Sequence, residues 1–155
     1  MDDGTGRDEG DLLQLDRQVC FALSVAARAV VALYRPLLEP MGLTHPQYLV
    51  MLALWERSPR SVKDLAAALA LDPGTLSPLL KRLEAGGLVT RARDRADERA
   101  LAVELTAKGR ALRAEAEKVP PAIVARLGIE IAELEDLHAA LTRVIAAARA
   151  VPEPV

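Results

Sequence analysis

Between residues 61 and 105 the chain carries two short, capped helix signals and then changes its apolar period from that of a helix to that of a strand. Ser61-Val62-Lys63-Asp64 opens the first helix with a hydroxyl cap and an acid in its first turn, and the pattern ends near Leu69. Asp72-Pro73 opens the second, with Asp72 as cap and Pro73 at the first helical position, where a missing N–H costs nothing. This helix runs to Glu84 or Ala85 and stops at Gly86-Gly87, with Pro78 inside it. Leu88 to Arg93 and Ala100 to Leu105 then read as two strands, the second alternating with period two. Arg95 to Arg99, polar except for Ala96, form the tip of the hairpin between them. Few folds accept this succession.

A short helix, a tight turn, a second helix and a β-hairpin are the order of a winged helix-turn-helix, whose second helix enters the major groove of DNA by its N-terminal end. The flanks are helical as well. Leu12 to about Arg35 repeats apolar residues at spacings of three and four, and Pro36, Pro40 and Gly42 close it. Thr44-His45-Pro46-Gln47 is a helix start with capping-box spacing, running to about Glu56. Thr106 caps a helix through Lys118, Pro120-Pro121 break or kink it, and a further stretch runs from about Ile123 to Ala148, divided near Gly128. The fold expected is mainly α (α+β), a winged helix-turn-helix with long N- and C-terminal dimerisation helices. Residues 12–150 make one domain between tails at 1–11 and 151–155. Within it, 46–106 form the DNA-binding lobe, and 12–45 with 107–150 the dimerisation helices, which carry more apolar surface than so small a lobe covers.

Composition narrows the function classes. The 155 residues are 51% hydrophobic with a formal net charge of −2, which excludes disorder as the general state. The one cysteine, Cys20, excludes an intrachain disulfide and a multi-cysteine zinc site. An uninterrupted apolar run of about 18 residues is absent, and the acidic, Gly-rich first eleven residues are no export signal, so a soluble, cytoplasmic protein without membrane contact is expected. The net charge argues against nucleic-acid binding by bulk charge, but it is an average. Residues 1–56 carry −4, residues 57–99 carry +3 and residues 100–155 carry −1. DNA contacts are expected from Pro73, Gly74, Thr75 and Ser77 at the leading end of the second helix, where free N–H groups also favour phosphate. Lys81 and Arg82 reach phosphates one to two turns on, and Arg95 and Arg99 suit a minor groove.

Asp64-Leu65-Ala66, Leu79-Leu80-Lys81-Arg82-Leu83-Glu84, Gly86-Gly87-Leu88-Val89 and Asp97-Glu98-Arg99 followed by Leu105-Thr106 resemble the MarR family of bacterial transcription regulators over roughly residues 12–150. The resemblance implies a homodimer on an inverted-repeat operator in double-stranded DNA, a wing braced by Asp97 and a DNA contact from Arg99. Further stretches resemble its organic-hydroperoxide-sensor branch: Leu15 to Cys20-Phe21, Tyr34-Arg35-Pro36-Leu37-Leu38, Leu43 to Tyr48, Leu54-Trp55-Glu56 and Leu71 to Leu76. That implies a repressor released by organic hydroperoxide, with Cys20 as the sensing thiol and Tyr34 as a pocket tyrosine. With one cysteine, the oxidised thiol is resolved by a low-molecular-weight thiol or oxidises further. His45 and Ser24 stand where the branch has tyrosines.

Geometry adds an independent constraint. Cys20 and Tyr34 are fourteen positions apart on one helical pattern, about 21 Å at 1.5 Å per residue, so contact between them requires an antiparallel second copy. Other readings stay open. A repressor released by a small phenolic or apolar ligand needs no redox chemistry. A buried structural role for Cys20, a cysteine peroxidase and a protein-interaction module are the further alternatives. The peroxidase has only His45 and His138 to draw on, no Gly-rich phosphate loop marks a cofactor, and a zinc site from Cys20, His45 and a carboxylate lacks ligand spacing.

Overall fold

The computed structural model describes residues 13–15, 18–93 and 101–154, which group into two compact units, one ending at His45 and one beginning at Pro46. In the first, helix α1 spans Val19–Leu38 and passes into a 3-10 turn, Glu39–Met41. Gly42 ends it at φ 69°, a left-handed conformation that glycine adopts without a Cβ clash. The helix thus starts later than the periodicity predicts and includes Pro36. Only two residues follow that proline, so the bond it removes belongs to the final turn.

Helix α2 spans His45–Glu56 and is buried on most sides through Tyr48, Val50, Met51, Ala53 and Leu54. Strand β1 (Arg60–Ser61) leads into α3 (Val62–Leu69) and α4 (Pro73–Ala85), which continues through the exposed Pro78. The hairpin follows as β2 (Val89–Arg93) and β3 (Leu101–Leu105), in antiparallel register from Val89 opposite Leu105 to Arg93 opposite Leu101. β1 pairs with the other edge of β3, giving the order β1-β3-β2. β1 was not expected, because two residues are too few to show a period. Ser58 helps hold it in place, its hydroxyl accepting the Leu105 N–H at 3.0 Å.

Helices α5 (Ala107–Ala116), α6 (Val119–Leu127) and α7 (Ile131–Ala150) complete the described chain. The helix capped by Thr106 is broken just ahead of Pro120-Pro121, ending at Ala116. The prolines open α6 in its first turn, where their missing N–H groups have no intrahelical partner to lose, so the next helix starts before Ile123. Gly128 at φ 62° separates α6 from α7. The core of the second unit is Val50, Met51, Leu54, Leu65, Leu76, Leu80, Leu83, Val89 and Val103. Leu76, Leu80 and Leu83 fall at helical spacing along one side of α4, which leaves its other side to solvent.

Two helices bury almost nothing. Leu38 is the one buried residue of α1, whose Val19, Phe21, Val25 and Val31 are exposed. α7 has no buried residue and exposes Ile131, Leu137, Val144 and Ile145. By length and mean hydropathy (1.5) the segment Val19–Met41 is also long and apolar enough to cross a membrane. The sequence expectation missed this because Arg28 interrupts the apolar run.

Candidate nucleic-acid interface

The helix-turn-helix is built by local capping. The Ser61 hydroxyl accepts the Asp64 N–H at 3.0 Å and starts α3. Ala70 ends it in the left-handed region at φ 54°, its N–H directed to the carbonyls of Ala66 and Ala67. A non-glycine residue there carries no sequence signal. The Asp72 carboxylate then accepts both the Thr75 N–H (2.9 Å) and the Thr75 hydroxyl (2.8 Å), and so opens α4. Those hydrogen bonds, the backbone one first, hold the Asp72 carboxyl below the usual carboxylate range.

Pro73, Gly74, Thr75, Ser77, Lys81 and Arg82 are all exposed, opposite the buried Leu76, Leu80 and Leu83. The structure therefore gathers the six expected helix contacts on the solvent side of α4. It differs on one point. The Thr75 N–H, expected to be open to phosphate, is already taken by the Asp72 carboxylate. The Thr75 hydroxyl, donating to Asp72, turns lone pairs outward. This leading end suits base edges better than a phosphate, while Lys81 and Arg82 enter no ion pair among the described residues.

Other basic residues of the +3 segment have structural work. Arg60 donates through Nε to Asp64 at 2.7 Å and through an Nη to the Ala53 carbonyl at 3.0 Å, joining α3 to α2. Arg57 meets the same carboxylate at 2.6 Å, and the hydrogen bond from Arg60 is the main reason the Asp64 carboxyl lies below its ordinary value. Arg91 pairs with Glu84 at 3.0 Å, fastening β2 to α4 and holding the Glu84 carboxyl low. The local charge count alone did not separate these arginines from the exposed pair on α4. Arg95, Asp97 and Arg99, expected at the wing tip, lie outside the described residues.

The root of the wing holds groups that sequence reasoning passed over. Thr106 caps α5 as expected, accepting the Gly109 N–H at 3.0 Å, but its hydroxyl also donates to the Gly87 carbonyl at 2.6 Å. Lys108 Nζ donates to the Gly86 carbonyl at 2.9 Å, and Trp55 Nε1 to the Gly109 carbonyl at 2.9 Å. The signal for Gly109 was its place in the first turn of a helix, where glycine weakens the helix unless something approaches closely.

Of the sensor candidates, Cys20 is exposed on the first turn of α1, and Tyr34 lies fourteen positions further along the same helix. Tyr34 meets His45 edge-on, ring centroids 4.8 Å apart. The structure thus brings Tyr34 and His45 together and leaves Cys20 about four helical turns from Tyr34 within the chain's own unit. Burial pushes the His45 imidazole below its ordinary pKa, so the ring is neutral at pH 7. Among the described residues no three His, Cys, Asp or Glu side chains are grouped to hold a metal.

Comparison with known proteins bears on what these elements serve. Residues 32–115 match the family model of the SarA/Rot transcriptional regulators. The chain is 50% identical over 129 residues to the HTH-type transcriptional regulator TtmR of Methylorubrum extorquens, covering 83% of this chain and 65% of that protein's length. It is 42% identical over 127 residues to the organic hydroperoxide resistance transcriptional regulator of Bacillus subtilis, covering 82% and 84%. The structure is similar to reduced AbfR bound to DNA, with a TM-score of 0.71 and 33% identity over 86% of this chain and 94% of that one.

Proposed function

The chain belongs to the SarA/Rot family of MarR-like winged-helix transcriptional regulators, and we propose that it is a homodimeric repressor whose grip on an inverted-repeat operator is released by oxidation of Cys20. Its relatives are regulators rather than enzymes. The observation that carries the redox reading is the division of the sensor along α1: an exposed Cys20 at one end, and the Tyr34–His45 pair at the other. An antiparallel α1 from a second copy brings that copy's thiol to this pair. The exposed apolar residues of α1 and α7 supply the surface such a pairing needs. That use, in a chain similar to regulators bound to DNA, favours a dimer over a membrane for the apolar length of α1.

The chemistry closes without a second cysteine. The Cys20 thiolate attacks the peroxide's terminal oxygen, the O–O bond breaks, and the alkoxide takes a proton and leaves as an alcohol. The cysteine is left as a sulfenic acid. A low-molecular-weight thiol then displaces water from it, giving a mixed disulfide. A neutral His45 contributes a hydrogen bond to the thiol rather than a cation beside it, so thiolate formation has to draw on other groups. On DNA, Pro73, Gly74, Thr75 and Ser77 are assigned to base edges, Lys81 and Arg82 to phosphates, and Arg95 and Arg99 to the minor groove or its phosphates, with Asp97 as the wing brace that the family resemblance implies. Two such lobes about 34 Å apart read the two half-sites. Oxidation at Cys20 changes the dimer and with it that spacing. A cytoplasmic location follows from this role.

The decisive experiment is a titration of the DNA upstream of the chain's own gene, reduced and after organic hydroperoxide, with wild type and Cys20→Ser. Wild type should lose affinity on oxidation and Cys20→Ser should not; equal loss in both ends the redox reading. A second reading has its own observation. Tyr48, Leu52, Trp55, Arg113, Ala116 and Pro120 line a cavity of about 380 Å³ between α2 and the α5–α6 segment. Its aromatic walls suit a small phenolic or apolar inducer, and Glu56 and Glu117, the latter 3.6 Å from Arg113, complete the lining. Thermal stabilisation by such a compound, unchanged in Cys20→Ser, would favour that reading.

A further inference from the structure

Neither the DNA-facing residues nor the sensor residues account for the ladder that ties the end of α4 to the start of α5. Three successive carbonyls, those of Gly86, Gly87 and Leu88, accept from Lys108 Nζ at 2.9 Å, the Thr106 hydroxyl at 2.6 Å and the Thr106 N–H at 3.0 Å. The Gly86 carbonyl sits at the C-cap of α4, where no intrahelical donor remains, and Lys108 of α5 supplies one. The Gly87 and Leu88 carbonyls lie past the helix end and take the cap residue Thr106, whose N–H bond to Leu88 extends the β2–β3 ladder. Lys108 also sets a positive charge at the negative end of the α4 dipole. Behind the ladder, Trp55 on α2 holds the Gly109 carbonyl of α5. The wing passes through the same point: β2 leaves directly after Leu88, and β3 arrives at Leu105 immediately before Thr106.

We propose that Thr106 and Lys108 are positioning residues for DNA recognition. They hold α4 and the root of the wing at a set angle to α5 without touching DNA, so any turn of α5 moves both DNA-facing elements together. The role rests on the DNA-binding reading above. Its rival is Lys108 as one more phosphate contact, and the two differ in salt dependence. A lost phosphate contact lowers the slope of log affinity against log salt by about 1, whereas a lost positioning contact leaves the slope unchanged.

The test uses the full chain and a duplex selected by the wild type from a random pool. Lys108→Met keeps the stem beside Gly87 but removes charge and donor, and Lys108→Arg keeps both. Lys108→Met should bind roughly five- to tenfold more weakly, the scale of one net hydrogen bond at an exposed site, at unchanged salt slope. Amide hydrogen exchange at Gly86, Gly87 and Leu88 should quicken, and Lys108→Arg should restore both readings. Thr106→Val should act in the same direction, with Thr106→Ser as its rescue. A slope lower by about 1 in Lys108→Met would make Lys108 a phosphate contact and overturn the proposal. Unchanged affinity with unchanged exchange would overturn it as well. A wild type that binds no duplex at low salt would refute the DNA-binding reading itself, and the exchange measurement would still decide whether the ladder holds α4.

Discussion

Replacing Gly109 with alanine would set a methyl carbon 2.1 Å from the Leu88 carbonyl oxygen and 3.2 Å from Leu105 Cδ2. Real Cβ atoms do not approach backbone oxygen closer than about 3 Å, so Leu88 or the start of α5 has to move by roughly an ångström, an overpacking that costs about 1–3 kcal/mol. The movement falls where the Leu88 carbonyl accepts the Thr106 N–H and the Gly109 carbonyl accepts from Trp55 Nε1. Weakening those two bonds adds about 1 kcal/mol each. Alanine returns up to about 1 kcal/mol of helix propensity. The net expectation is a loss of about 2–4 kcal/mol, which at an m-value near 2 kcal/mol/M moves the urea midpoint down by about 1–2 M. Urea unfolding followed by far-UV circular dichroism, at one fixed protein concentration, measures it. Gly86→Ala is the matched control, because its Cβ meets nothing closer than 3.5 Å and its φ of −75° suits any residue. The control should unfold with the wild type. A Gly109→Ala midpoint within about 0.3 M of wild type would refute the close-approach reasoning.

Three further outcomes follow from the same geometry. The folded state protonates His45 less readily than the unfolded chain does, so the His45 contribution to stability is full above pH of about 6.5 and is lost as pH falls below it. His45→Phe should flatten that part of the stability–pH profile, and an unchanged profile would exclude His45 as its source. Lys81→Ala should weaken operator binding about equally for all sequences and lower the salt slope by about 1; a sequence-selective loss would make Lys81 a base reader instead. Arg60→Met removes the main influence that holds the Asp64 carboxyl low, so its carbon-13 titration should move up toward the ordinary aspartate value. No movement would assign the effect to Arg57.

Short-range chemistry was legible without coordinates. Ser61, Asp72 and Thr106 cap their helices because a side-chain oxygen two or three residues before a free N–H needs no tertiary help. Gly86-Gly87 end α4, and Val103 and Leu105 are buried while Ala102 and Glu104 on the other face of β3 are not, for similarly local reasons. The exposed side of α4 follows from the spacing of Leu76, Leu80 and Leu83. Proline was read less well. Pro36 and Pro120-Pro121 forbid one hydrogen bond each, but whether that ends a helix or opens one depends on the neighbouring segments.

By itself, then, the sequence determined where most helices and strands begin and end, which side of α4 faces water, and that a single thiol lies on a long apolar helix. Tertiary structure decided what long-range pairing controls. It paired β1 with β3, closed the Leu88 carbonyl against Gly109, and turned Thr106 and Lys108 back onto the end of α4. It also gave Arg57, Arg60 and Arg91 carboxylate partners that charge counting did not show, and seated Tyr34 against His45 while Cys20 stayed at the far end of α1. Charge and periodicity count residues along the chain. A hydrogen bond or an ion pair forms between residues far apart in it, and only the folded backbone brings those within 3 Å of each other.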